Sequence, residues 1–143
     1  EADKAVIVRN PNATRPWQHV LEPLSGYLLL AQKLYYNSEG YSEGWNFGPD
    51  EKDVKPVHWI LDKMISYWPH ANWKLDEDSN PHEASFLKLN ISKARIQLDW
   101  RPIWELDRAL ERIINWHKAW KNNEDMQLLC CAEIKEYMKD MKK

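Results

Sequence analysis

The residues best suited to chemistry sit in short stretches that each precede an ordered element. Arg15 stands in Arg15-Pro16-Trp17-Gln18-His19-Val20, just ahead of a run with helical spacing. A guanidinium engages two oxygens at once, so an arginine fixed before a helix suits a diphosphate. The start of the helix adds backbone donors of its own. Pro16 stiffens this loop, and Trp17 is expected to pack beneath it and hold Arg15 in place. Asn46 precedes Gly48-Pro49 at the end of a brief apolar stretch, where ligand-facing side chains are common. A turn-capping asparagine accounts for it equally well. His82 and Glu83 precede another apolar stretch, and Glu83 can accept hydrogen bonds from ribose hydroxyls, although a solvated turn fits both residues.

Other chemistries lack their residues. Gly40, Gly44 and Gly48 recur every four positions, the wrong spacing for a dinucleotide turn, and read as loop glycines. No tyrosine is followed four places later by lysine. His19, His58, His70, His82 and His117 show no metal-ligand spacing among themselves or with cysteine, so no metal is expected. No nucleophile, base and orienting acid can be grouped by spacing. The chain is therefore expected to hold no catalytic residue of its own.

These stretches need elements to position them. Residues 4–10 read as a strand ending in Asn-Pro, and residues from Val20 to 36 as a helix with Pro23 in its first turn. That helix is apolar nearly all round, which normally means cover on more than one side. Residues 45–50 are expected to form a brief strand, and a helix follows Pro56. A strand and acidic turn are expected at 72–78 and another strand at 85–89, with Lys88 alternating out to solvent. A short helix stops at Arg101-Pro102. Residues 104–121 make the clearest helix, with Leu106, Leu110, Ile113, Ile114 and His117 on one stripe. A last helix spans 125–141. Helices and strands alternate, so the fold class is α/β with mixed short strands and helices.

Composition narrows the function classes. The 143 residues carry 20 basic and 22 acidic side chains, a balance that argues against nucleic acid as a partner. The longest apolar run, residues 27–31, is far too short to cross a membrane, and no basic-then-apolar leader opens the chain. The two cysteines are the neighbours Cys130 and Cys131, which on a helix diverge too far to bridge. Reduced thiols point to the cytoplasm, where the triplets at Asn12 and Asn90 would carry no sugar. Nine tryptophans are the unusual feature, serving either as core filling or as flat surfaces for sugars or bases.

Taken in order, four stretches resemble the C-terminal half of the extended short-chain dehydrogenase/reductases that act on nucleotide sugars. They are Arg15 to Val20, the Trp45-Asn46-Phe47-Gly48 stretch, residues 82–102, and the helix containing Ile114-Asn115-Trp116-His117. Residues 10–34 and 81–94 are similar in particular to CDP-glucose 4,6-dehydratases. One departure is Asp99, where the family has glycine before Trp100; this should alter only a helix end. The resemblance implies the C-terminal, nucleotide-sugar-binding portion of a Rossmann-type enzyme over residues 1–143. In that reading, residues 1–50 pack partly on an NAD-binding lobe, and residues 51–143 form the substrate lobe and terminal helices. It implies CDP-glucose as ligand, gripped by Arg15, Asn46, His82 and Glu83 with Pro16 and Trp17 as supports. NAD and a catalytic Tyr/Lys pair would belong to the portion ahead of this chain. The implied reaction is loss of water from CDP-D-glucose, with hydride leaving C4 to NAD and returning to C6. A homodimer or a longer polypeptide would cover the apolar helix.

Two other classes fit the residues without the resemblance. One is a non-catalytic carbohydrate- or nucleotide-binding module that uses the tryptophans. The other is a protein-interaction domain that docks through residues 104–121 and 125–141.

Overall fold

The computed structural model describes residues 5–68, 71–78 and 84–142, so the expected ligand residues His82 and Glu83 lie outside the described part. Two small sheets, five α-helices and a single 3-10 turn at Glu51–Asp53 make up the described residues. Strand β1 (Val6–Val8) pairs in parallel with β4 (Trp73–Leu75), Ile7 opposite Lys74. Strand β2 (Thr14–Pro16) pairs antiparallel with β3 (Val54–Pro56), Arg15 opposite Lys55. The chain is thus mixed helix and strand, with sheets far smaller than its helices.

Helix α1 (Leu21–Tyr36) begins where its periodicity does, with Pro23 in the first turn, where no intrahelical donor is needed. Helix α2 (Val57–Tyr67) follows Pro56 directly. Its first donors are taken by the turn between β1 and β2: Val57 N–H bonds Ala13 O at 3.0 Å and His58 N–H bonds Pro11 O at 2.8 Å. Helix α3 (Ser92–Gln97) is short, and helices α4 (Leu106–Lys121) and α5 (Met126–Asp140) form an antiparallel pair. Asp125 caps α5 by accepting from Leu128 N–H at 3.0 Å.

Asp99 adopts φ of +53°, the left-handed region in which glycine alone carries no side-chain penalty. Trp100 N–H then reaches back to Ala94 O at 3.1 Å and closes the end of α3. Aspartate is one of the few other residues that tolerates this geometry. The glycine that the resemblance implies at this position would meet the same geometry without a side-chain penalty.

Two apolar clusters hold the elements together. Phe47, Ile91, Ala94, Leu98 and Trp100 form one, against which Leu29 and Leu30 of α1 pack. Ile60, Leu106 and Leu110 form the other, with Trp17, Trp59 and Met64 around them. Among the described residues, helix α1 is covered on one side only. Glu22 and Gly26 are buried, while Val20, Leu24, Tyr27, Leu28 and Tyr35 form an exposed stripe along its length.

Two expected strands are absent. Residues 44–50 run extended without a strand partner, because their carbonyls go to side chains: Phe47 O accepts from Gln18 Nε2 at 3.0 Å, and Gly44 O from Lys93 Nζ at 3.0 Å. Residues 85–89 contribute only a single bridge, Phe86 to Thr14, at the first residue of β2. Among the described residues, no helix is long and apolar enough to cross a membrane.

Candidate functional site

The segment from β2 into α1 is the hub of the described structure, and its side chains reach four other parts of the chain. Arg15 Nη1 donates to Thr14 O and to Ala84 O, both at 2.9 Å, fixing the guanidinium beside the 84–87 segment. The backbone of Thr14 joins that segment too, accepting from Leu87 N–H at 3.1 Å and donating to Ser85 O at 2.9 Å. Arg15 thus lies within a strand, not in the loop expected before a helix; Trp17 to Val20 separate it from α1. The helix start is also occupied, since Leu21 N–H donates to His19 Nδ1 at 3.3 Å.

Trp17 packs on the Ile60 cluster and donates its indole N–H to Lys55 O at 2.9 Å, which ties the turn after Arg15 to β3. Pro16 sits opposite Val54 in the same sheet. Arg15 and Lys55 face each other across the ladder, two cations in a register that favours opposite charges. Asn46 is exposed and donates to Asn90 O at 3.4 Å, just ahead of α3.

The chain therefore brings Arg15 to the residues that follow His82 and Glu83, and Asn46 to Asn90. Gln18, which sequence reasoning passed over, links the two halves: its amide N–H bonds Phe47 O, next to Asn46. The Gln18 Oε1 atom is buried without a donor among the described residues.

Behind the hub lies a polar network that sequence reasoning also missed. Glu22, fully buried on α1, accepts from Ile103 N–H at 2.9 Å, Trp104 N–H at 2.7 Å and the Tyr137 hydroxyl at 2.7 Å. Ser25 extends the network by accepting from Trp100 Nε1 at 2.9 Å. Burial raises the Glu22 carboxyl above its ordinary range, and the donors from Tyr137, Trp104 and Ile103 oppose that shift. A lone glutamate inside an otherwise apolar helical stretch was the available signal.

His19 is buried edge-on against Trp104, ring centroids 5.0 Å apart. Burial, helped by the Arg112 charge, lowers its pKa from 6.5 to about 4. Above pH 6.5 the ring is neutral in both folded and unfolded chains, so its contribution is complete. As pH falls through 6.5 toward 4 the unfolded chain takes up the proton first, and stability drops by about 1.4 kcal/mol per pH unit. Glu22 and Glu133, both raised by burial, act in the opposite direction in acid. Comparison with His19→Gln isolates the histidine, because those carboxyls are common to both proteins. Urea unfolding at pH 7 and pH 5 should show the wild type losing about 2 kcal/mol more than the variant. Parallel profiles would remove His19 as the cause.

Among the described residues, no three His, Cys, Asp or Glu side chains group to hold a metal ion. The glycine series is also no phosphate cradle: no helix follows Gly44, and a Cβ on Gly48 would press on Leu89 at 3.0 Å, so that glycine serves packing. The residues present do not fit a dinucleotide.

No family model matches the chain. The CDP-glucose 4,6-dehydratase of Salmonella typhimurium is 53% identical over 139 residues, which cover 96% of this chain and 39% of that enzyme. The chain is thus a relative of the C-terminal part of CDP-glucose 4,6-dehydratase, and spans about 39% of that enzyme's length.

Proposed function

We propose that this chain is the substrate-gripping part of a CDP-D-glucose 4,6-dehydratase, an extended short-chain dehydrogenase/reductase of Rossmann type. The whole enzyme converts CDP-D-glucose into CDP-4-keto-6-deoxy-D-glucose with loss of water, a cytoplasmic step of deoxysugar synthesis. The observation that carries this reading is the 53% identity spread over nearly all of the chain. The paired cations Arg15 and Lys55 support a diphosphate contact on the β2–β3 sheet. Asn46, His82 and Glu83 complete the proposed grip, with Trp17 and Pro16 as supports.

NAD, when bound to the whole enzyme, supplies the hydride chemistry from a site outside these residues. This portion contributes orientation: binding energy from the nucleotide holds the sugar in one pose. The exposed stripe on α1 supports contact with a cofactor lobe or a second copy, within a homodimer or a longer polypeptide. The coding sequence ahead of Glu1 should then specify a Gly-x-x-Gly-x-x-Gly turn and a Tyr-x-x-x-Lys pair.

Calorimetric titration tests the grip directly. CDP, CDP-glucose and dTDP-glucose should all bind, and Arg15→Ala should weaken each by about tenfold, because a phosphate contact carries no base information. Lost preference for CDP with affinity intact would contradict the role given to Arg15.

A further inference from the structure

Most of the nine tryptophans are spoken for by the protein itself. Six donate their indole N–H to a protein acceptor: Trp17, Trp45, Trp73, Trp100, Trp104 and Trp116. Trp59 donates to no acceptor among the described residues, and neither do Trp68 and Trp120. Trp68 and Trp120 border the same groove, a cavity of about 580 Å³ between α2 and α4, beside the β1–β4 sheet. That volume falls in the range of small-molecule sites, which combine apolar walls with a few polar groups.

The walls of this groove are aromatic. His117 lies between Trp68 and Trp120, with ring centroids 5.3 Å away on each side. Met64 and Ile114 form the apolar base. One cation stands at the rim: Lys121 Nζ lies 5.3 Å from the centre of the Trp68 ring. Trp120 is 54% exposed even though the groove around it is apolar. Ring faces attract planar partners, the two indole N–H groups call for acceptor atoms, and the ammonium calls for an anion.

We propose that this groove is a binding site for a planar aromatic or heteroaromatic ring that carries one anionic group. It shares none of the residues assigned to the nucleotide-sugar grip. The ring stacks on the exposed Trp120, and the anionic group lies against Lys121.

Titration calorimetry with naphthalene-1-sulfonate, and with neutral naphthalene-1-methanol, tests the site on the chain as it stands. The sulfonate should bind saturably at one site. Trp120→Ala should weaken both probes at least tenfold, and Trp120→Phe, which keeps a ring but loses the N–H, about threefold. Lys121→Gln should weaken the sulfonate about fivefold and leave the alcohol unchanged. Leu28→Gln, on the exposed stripe of α1, should alter neither. Displacement by cytidine monophosphate would identify a nucleotide as the fitting ligand, and displacement by indole-3-acetate an aromatic acid. The assignment is overturned by absence of saturable binding, by indifference to both Trp120 variants, by loss of binding in Leu28→Gln, or by displacement with neither competitor.

Discussion

Replacing Glu22 with alanine is expected to lower the stability of this fold by about 3–5 kcal/mol, enough to unfold much of it near 37 °C. The carboxylate satisfies three donors: two backbone N–H groups at the approach to α4, and the Tyr137 hydroxyl of α5, which also lies 3.2 Å from Ser25 Oγ. Removing it leaves the two backbone groups buried and unpaired, at about 1–3 kcal/mol for each. Glu22→Gln keeps the shape and one acceptor oxygen, so its loss should be about half as large. Urea unfolding should show a lower midpoint with an unchanged slope in both variants. An alanine variant within about 1 kcal/mol of wild type would mean that water reaches these groups in solution and that the network is not closed. Tyr137→Phe gives an independent reading, since it deletes a single donor while the two backbone bonds to Glu22 remain.

The role of Glu22 was hard to read from the sequence, and the reason is instructive. Periodicity locates a helix by counting apolar positions, and α1 is so apolar that one glutamate did not disturb the count. What identifies Glu22 is its partners at Ile103, Trp104 and Tyr137, all distant in sequence and unmarked by any motif. The long helices α1, α2, α4 and α5 were legible because each carries its own apolar spacing and its own start or stop residues. The strands at 45–50 and 85–89 were not, because a strand exists only through a partner, and here side chains or a single bridge take that place.

The candidate site divides in the same way. Arg15 and Trp17 could be picked out from residue type and from family resemblance. The tether of Arg15 to Ala84 and that of Trp17 to Lys55 are products of the fold. Gln18 looked like filler between them, yet its amide joins the Arg15 segment to the Asn46 segment. Resemblance also anticipated a helix end at Asp99, where the positive φ now supplies the cause. His117 was read as part of the apolar stripe of α4. The structure leaves it and Trp120 exposed, with Trp68 packed 5.3 Å from the His117 ring at that end of α4.

Gly26→Ala should destabilise the chain by about 2–3 kcal/mol, and the sign of the change is itself the test. In an open helix face, alanine for glycine would add about 1 kcal/mol of stability through helix propensity alone. At Gly26 a Cβ would lie 2.3 Å from Cδ1 of Phe47 and 2.6 Å from two further ring atoms, well inside any tolerable contact. The ring has no easy retreat. It is buried edge-on against Trp100, with centroids 5.0 Å apart, and Tyr27 closes a further side at 5.6 Å. Relief must therefore come from sliding the 45–49 segment off α1, which strains the Gln18 bond to Phe47 O and shifts Asn46 with it. Combining Gly26→Ala with Phe47→Leu should recover at least half of the loss, because the smaller side chain clears the methyl group; the two changes are in contact and should not add. Thermal unfolding of the two single variants and the double reads this coupling directly. A stabilising Gly26→Ala would show that the 45–49 segment does not rest on α1 in solution, and would detach Asn46 from the grip proposed around Arg15.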